Sequence, residues 1–443
     1  MKPLLIQGCH IIDPGQGIDG IGSLLLTAGK ISWLGEAEMT PSQLDYDVLP
    51  AQGLIACPGF IDLHCHLRQP GFEEKETVAT GTRAAARGGF TTICCMPNTN
   101  PPLDNRTTIR YVKAEVAREG VVRVLPIGCI SKGRKGEELA PMRELASEGV
   151  AGYSDDGEPV LNVRLMRQAL DCSRSLGLPI IDHCEHTDLT EGGVMNWGRR
   201  SIELGLRGMP VAAEEIMVAR DVALARMTGG RLHIAHVSTE GSVNIIRLAK
   251  EEGVRITAEV TPHHLTLTEE KVVGYDANAK VNPPLRTKRD IQALIQGLKD
   301  NVIDIIATDH APHAKADKLG GFASAPFGIS GFETALGSLM GLVHDGRLTL
   351  ATLISKLTRA PSRIIGNEHG EIGVLSIGAS ADVTIFDPNR DWTVDIDAFI
   401  SKGQNTPLVG SVLKGRVMAT IVQGTLVYRD NSIEVEGKEG YEG

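Results

Sequence analysis

The chain has no apolar run long enough to span a bilayer, no CxxC cysteine pair, no internal repeat, no low-complexity tract and no basic stripe interleaved with aromatics. Each absence removes a class of function. A spanning helix needs about 20 consecutive apolar residues, and a mean hydropathy of −0.04 with 42% hydrophobic content describes a globular protein instead. The opening Met1-Lys2-Pro3-Leu4-Leu5-Ile6-Gln7-Gly8 reaches a polar residue and a glycine too soon for a signal-peptide core, so a cytoplasmic location is expected. Cys9, Cys57, Cys65, Cys94, Cys95, Cys129, Cys172 and Cys184 are scattered through apolar, strand-like segments. That scatter argues against a disulfide framework and against a thiolate zinc site, and for reduced core residues. With 45 Lys plus Arg against 55 Asp plus Glu, the net charge is −10, and nucleic acid is not an expected partner.

What is present is size and alternation. At 443 residues the chain exceeds one ordinary hydrophobic core, which favours a barrel-type domain with a smaller companion. Eight short β-rich runs can be read: 59–64, 91–96, 123–127, 150–154, 179–183, 232–236, 255–260 and 303–308. Between them lie amphipathic helical stretches at 76–87, 105–118, 160–176, 212–227, 241–252 and 288–298, all but the last followed within a few residues by glycine. Repeated strand–helix units of this kind predict an α/β fold, a (β/α)₈ TIM barrel over residues 58–366. The flanks read as short glycine-punctuated strands, at 4–12, 23–26 and 31–34 and again at 382–386, 409–413 and 417–427. Neither flank can bury a face alone, so residues 1–57 and 367–443 are expected to pair into one small β-sandwich domain.

The ends of the eight runs carry the chemistry. The first, second, fourth, fifth, sixth and eighth runs end in His64-Cys65-His66, Pro97-Asn98, Asp155-Asp156, His183, His236 and Asp309-His310. Barrel enzymes place their reactive groups at strand C-termini. His64 and His66, at i and i+2 on a strand, project to one side and can reach one metal, although two solvated surface histidines would look the same. His183, His236 and Asp309 each close an apolar run, and four imidazoles with a carboxylate favour zinc or a similar first-row ion. A second ion needs a bridging anion, which Asp155 or Asp156 can supply, unless Asp155-Asp156-Gly157 is a simple turn. Arg68, two residues past His66, offers a planar fork for a carboxylate, or else an ordinary surface ion pair. The stretch 313–328 is a candidate lid.

Taken in order, His64-Cys65-His66-Leu67-Arg68-Gln69-Pro70-Gly71, Met96-Pro97-Asn98-Thr99, Asp182-His183-Cys184-Glu185, His236-Val237-Ser238-Thr239, Val260-Thr261-Pro262-His263-His264, Asn282-Pro283-Pro284-Leu285-Arg286 and Ala307-Thr308-Asp309-His310-Ala311-Pro312-His313 resemble the class I dihydroorotases of the amidohydrolase superfamily. The match runs to about residue 430; Cys65 and Gln69 depart from many relatives at positions that are not ligands. The resemblance implies that His64, His66 and Asp309 hold one zinc ion, His183 and His236 a second, and that Asp156 bridges them. It implies that Arg68, Asn98, Asn282 and His313 hold substrate with backbone groups of Phe327 and Gly328, while His263, His264 and His310 stay structural. Asp309 is then the general base and acid for reversible cyclisation of N-carbamoyl-L-aspartate to L-dihydroorotate in pyrimidine biosynthesis. Hydantoinases, dihydropyrimidinases and allantoinases resemble the same pattern but bridge their metals through a carboxylated lysine. No lysine occurs between Lys135 and Lys250, which leaves Asp156 as the available bridge. A homodimer is expected, with association to aspartate transcarbamoylase as a further partner. The competing readings are a hydantoinase- or allantoinase-like hydrolase, and a non-catalytic scaffold for that transcarbamoylase, whose known examples lack the metal ligands.

Overall fold

The computed structural model of the protein describes residues 2–36, 45–366, 368 and 370–437. Asn367, where the second part of the small domain is expected to begin, lies outside the described residues.

Eight parallel segments close into a barrel. Three strands, Phe60–Cys65, Phe90–Cys95 and Arg123–Pro126, pair in that order. Four more, Ile180–Asp182, Leu232–Ile234, Ile256–Val260 and Ile305–Ile306, form the other arc. Two narrow seams join the arcs. At one, Tyr153 bridges Gly128 on one side and Ile180 on the other. The run read at 150–154 is therefore shorter than a regular strand, although Ala151 N–H to Pro126 O (3.0 Å) and Tyr153 N–H to Pro179 O (3.0 Å) keep it in the ladder. At the other seam Cys65 bridges His310. There the buried Asp62 carboxylate reinforces the closure, accepting from Thr308 N–H at 2.8 Å and from Thr308 Oγ1 at 2.7 Å.

The helices start where a side chain can satisfy their first N–H groups. Thr77 caps Val78–Arg87 by accepting from Thr80 N–H, so this helix begins two residues later than its periodicity suggested. Asn105 and Asn162 do the same for Arg106–Glu119 and Val163–Leu176. Periodicity cannot see these boundaries, because the capping residue interrupts no apolar stripe.

Inside the barrel, Ile61, Leu63, Cys94, Met96, Leu125, Ile127, Ala151, Ile181, Ala235, Ile305 and Ala307 form one buried cluster with Ile364, Ile365 and Ile372. Residues from seven different strands can touch one another only across the lumen, so this is its apolar floor. The eight cysteines are all free. Among the described residues no helix is long and apolar enough to cross a membrane.

The two flanks build one sheet. Leu4–Asp13 pairs antiparallel with Ile18–Thr27, which pairs with Lys30–Gly35. Its halves then take different parallel neighbours, Asp47–Pro50 and Ile55–Pro58, on either side of a break between Ile6 and Cys9. Ile55–Pro58 carries the sheet on to Val383–Thr393, Val412–Val422 and Thr425–Arg429. Ile6, Ile11 and Leu24 from the first flank share a core with Ile385, Met418 and Ile421 from the second. One expectation is corrected. The chain does not turn between 413 and 417; the strand continues through Gly415, and the hairpin reverses at Gln423-Gly424, both at positive φ as a two-residue primed turn requires.

Sheet and barrel meet on aromatic rings. Phe60 packs against Phe90 at 5.8 Å and against Phe386 of the sheet at 6.3 Å, and Phe90 continues to Phe332 at 5.4 Å. Phe60 opens the strand that carries His64, so this seam anchors the foot of the strand bearing the HxH signature. Phe60→Ala is expected to lower stability by about 3–5 kcal/mol, as a fully buried aromatic truncation does. Urea denaturation of the two proteins checks this, and a midpoint unchanged by the substitution would show that the seam carries no such load.

Candidate metal centre and substrate cleft

A cleft of about 190 Å³ opens at the carboxyl ends of the barrel strands. Eleven of the twelve residues singled out in the sequence line it: His66, Arg68, Asn98, Asp156, His183, His236, Asn282, Asp309, His313, Phe327 and Gly328. The twelfth, His64, lies fully buried beside them, its Nε2 3.4 Å from Asp156 Oδ1 and 3.6 Å from Asp309 Oδ1. Some of these side chains arrive through unusual backbone. Arg68, His236 and Asp309 occupy the left-handed region at φ 61°, 31° and 45°. Non-glycine residues hold such angles only where the surroundings over-determine them, and they cluster at functional sites.

The cluster has two lobes that share Asp156. His66 Nε2 lies 3.0 Å from Asp309 Oδ1 and 3.5 Å from Asp156 Oδ2. In the second lobe His183 Nδ1 faces His236 Nε2 at 2.9 Å, and the two lie 3.8 and 3.7 Å from Asp156 Oδ1. Donors that each sit about 2.0–2.1 Å from one ion lie roughly 3 Å apart, so this spacing suits divalent-cation ligands. His64 Nε2 and Asp156 Oδ1 are buried without a hydrogen-bond partner. Unsatisfied groups at such depth are costly unless something binds them, and a cation between these atoms satisfies both. The residues present therefore fit a metal ion. Asp155 and Asp156 separate cleanly: Asp155 turns away, accepting from Ile130 N–H at 2.9 Å and Ser131 N–H at 3.1 Å, and only Asp156 reaches the histidines.

Three of the four imidazoles are oriented by a partner on the ring nitrogen that faces away from the cluster. His64 Nδ1–H donates to Glu259 Oε1 at 2.6 Å, His66 Nδ1–H to Asn98 Oδ1 at 2.9 Å, and His183 Nε2–H to Glu185 Oε2 at 2.8 Å. Each such bond fixes the tautomer and leaves a lone pair toward the centre. Asn282 Nδ2 in turn donates to Glu185 Oε2 at 2.7 Å. Asn98 and Asn282 thus sit at the cleft and also hold histidines. Glu259 continues into the lumen, where its Oε2 accepts from His233 Nε2 at 3.1 Å and His233 Nδ1 meets Thr257 Oγ1 at 2.8 Å.

Electrostatics follow from this crowding. Burial works to raise the carboxyl of Asp309, but the close approach of His66 and the neighbouring His64 and His236 hold it well below the carboxylate range. Asp156 is held down in the same way, chiefly by His64 and His236 against its own burial. Burial lowers the Arg68 guanidinium to about 10, which leaves it charged at neutral pH. Burial and the charge of Arg68 push His313 down to about 2, so its imidazole is neutral and hydrogen-bonds to Phe327 O at 2.7 Å.

Glu259, Glu185 and His233 were not singled out as functional in the sequence. A signal existed for Glu259: it is a charged residue inside the apolar run 255–260, at a position alternating with Thr257. Its partners come from other strands, and no spacing in one run points to them.

Residues 53–242 match the protein-family model described as "Dihydro-orotase-like". The protein named dihydroorotase in Caldanaerobacter subterraneus subsp. tengcongensis is 50% identical over 427 residues, covering 95% of this chain and 97% of that protein. That of Pelotomaculum thermopropionicum is 50% identical over 431 residues, covering 97% and 99%. Among solved structures the chain is similar to an L-hydantoinase (dihydropyrimidinase) from Arthrobacter aurescens, with TM-score 0.87, 24% identity and 98% of each chain covered. It is also similar to a dihydropyrimidinase from Brevibacillus agri, at TM-score 0.85, 22% identity and 98% and 96% coverage. At that identity the structural likeness speaks for the fold alone.

If Glu259 orients His64 as described, Glu259→Gln keeps the shape but removes the charge, and metal affinity is expected to fall about 10- to 100-fold. Competition with a chromophoric chelator measures it; an unchanged dissociation constant would remove Glu259 from the centre.

Proposed function

The chain belongs to the dihydroorotase family, and on that footing we propose that it is a zinc-dependent dihydroorotase that interconverts L-dihydroorotate and N-carbamoyl-L-aspartate. The observation that carries the reading is a single cleft joining His66, His183, His236 and two aspartates, with His64 buried beside them, to a charged arginine. A substrate with a ring amide and a carboxylate needs both halves of that arrangement. The absence of lysine from 136 to 249 favours Asp156 over a modified lysine between the lobes, and this sets the chain apart from hydantoinase-like chemistry.

His64, His66 and Asp309 would hold one zinc ion and His183 and His236 another, with Asp156 common to both. Bound there, zinc supplies Lewis acidity that brings the pKa of water down to about 7 and polarises an amide carbonyl. The protein does the rest. Arg68 spends Nε on Pro312 O at 3.2 Å, which steadies the guanidinium while its terminal nitrogens take the substrate carboxylate as a two-pronged pair. Asn98, Asn282, His313 and the backbone of Phe327 and Gly328 hold the ring. Water adds its oxygen to the amide carbon, and the carbon–nitrogen bond of the ring breaks. Asp309, ionised at neutral pH, accepts the water's proton on a carboxylate oxygen and returns it to the departing ring nitrogen. Cyclisation runs the same transfers backwards.

The proposal extends to a homodimer working in the cytoplasm, to association with aspartate transcarbamoylase, and to a division of the chain into a barrel of residues 58–366 and a composite small domain of 1–57 plus 367–443.

Turnover of L-dihydroorotate, hydantoin and allantoin by the purified, zinc-loaded protein tests the reading. L-Dihydroorotate is expected to be the preferred substrate, and preference for either of the others would sink it. Asp309→Asn is expected to lower kcat by about 10²- to 10⁴-fold with an unchanged circular-dichroism spectrum; near-normal kcat excludes Asp309 as the proton carrier. Arg68→Met is expected to raise KM by about 10- to 100-fold, the worth of a charge-assisted hydrogen-bond pair, whereas an unchanged KM assigns Arg68 to the surface.

A further inference from the structure

The outer wall of the cleft, 311–330, is held both by bonds within it and by a side chain from far along the chain. Its substrate-facing part, Phe327-Gly328, is fastened by two side chains that lie outside the residues placed in the chemistry above.

Asn405 comes from the far end of the chain, in the segment that returns to the barrel mouth after Ile396–Ala398. It is 3% exposed, and its amide is saturated. Oδ1 accepts from His313 N–H and from Ser330 Oγ, both at 2.9 Å. Nδ2 donates to Ala311 O at 3.0 Å and to Gly328 O at 2.9 Å. An asparagine amide has two donors and an oxygen with two lone pairs, so every valence is used on this one loop. Lys318 works from the other side. Burial lowers its amine to about 7, but Nζ donates to Pro326 O at 2.7 Å, Gly328 O at 3.0 Å and Ala277 O at 3.1 Å, three carbonyls that favour the protonated form with one hydrogen for each. Gly328 O is shared by both pins. The backbone there runs at φ 139°, and a Cβ would lie 2.7 Å from Ala311 O, so the approach to the pins requires glycine. The segment bearing Asn405 fits as closely, since a Cβ on Gly403 would lie 2.3 Å from Pro312 Cβ.

We propose that Asn405 and Lys318 are positioning residues for substrate binding: together they set the Phe327-Gly328 backbone and His313 at the spacing that the bound ring requires. The proposal rests on the substrate reading given above. Through Asn405 the C-terminal part of the chain shapes the binding cleft directly. A preorganised binding wall acts on ground state and transition state alike, so its loss weakens KM and spares kcat.

The test compares the full-length, zinc-loaded protein with Lys318→Met and Asn405→Asp, the second keeping the side-chain volume while abolishing both donors. Steady-state kinetics on L-dihydroorotate are measured beside hydrogen exchange of the 322–330 peptide. Lys318→Met is expected to raise KM about tenfold or more, from the loss of charge-assisted hydrogen bonds. The expected kcat stays within about threefold because the reacting groups are untouched. Asn405→Asp is expected to raise KM at least as much, and exchange should accelerate in 322–330 but not in the barrel strands. Unchanged KM in both variants, a fall in kcat at constant KM, or unaltered exchange overturns the proposal. Should the wild type leave L-dihydroorotate unconverted, the substrate reading is what falls, and the exchange measurement still decides whether the two side chains set the loop.

Discussion

Two carboxylates and four imidazoles are gathered at the mouth of the barrel, all of them nearly or fully buried. Bringing such groups out of water is expensive, and the cost is tolerable only where every nitrogen and oxygen is directed. The rest of the architecture serves this constraint. Glu259, Asn98 and Glu185 occupy the outward nitrogens of three histidines, so the remaining lone pairs converge. Arg68, His236 and Asp309 accept left-handed backbone to reach the centre. Asp62 braces the seam between the first and eighth strands, which supply three of the converging side chains.

A centre so dependent on direction needs a rigid frame, and a closed parallel barrel is one. Its lumen holds an apolar cluster and, beside it, a polar column of Thr257, His233 and Glu259 leading to His64. The terminal sheet supplies none of the six side chains of the metal centre, but it packs against the strand that carries His64. Phe386 packs on Phe60 at the foot of the strand that carries His64, and beyond that sheet the chain returns to the cleft with Asn405. The wall expected from the sequence as a lid is, in this conformation, tied down at several points.

Much of this is legible in the sequence. Parallel strands buried on both faces read as continuous apolar runs, and a polar residue that closes such a run stands out. His64, His183, His236 and Asp309 are visible for that reason, and Arg68 follows from its distance to His66. Six of the helices are equally plain, because an amphipathic stripe is local; their ends differ by one to three residues, and three of them start where Thr77, Asn105 or Asn162 can cap. Gly415 misled because a glycine that allows a strand to bend looks, in a sequence, like one that ends it.

What local order carries, then, is the alternation that makes a barrel and the identity of the groups at its rim. Pairing across the fold belongs to the tertiary structure alone. Whether Asp155 or Asp156 turns inward depends on the N–H groups of Ile130 and Ser131, which capture the first and release the second. Glu259 matters because His64, 195 residues away, comes within 2.6 Å of it. Asn405 matters because closure of the chain brings it beside His313 and Gly328. A hydrogen bond has no reach along the chain; it exists only where folding has already placed its donor and acceptor about 3 Å apart.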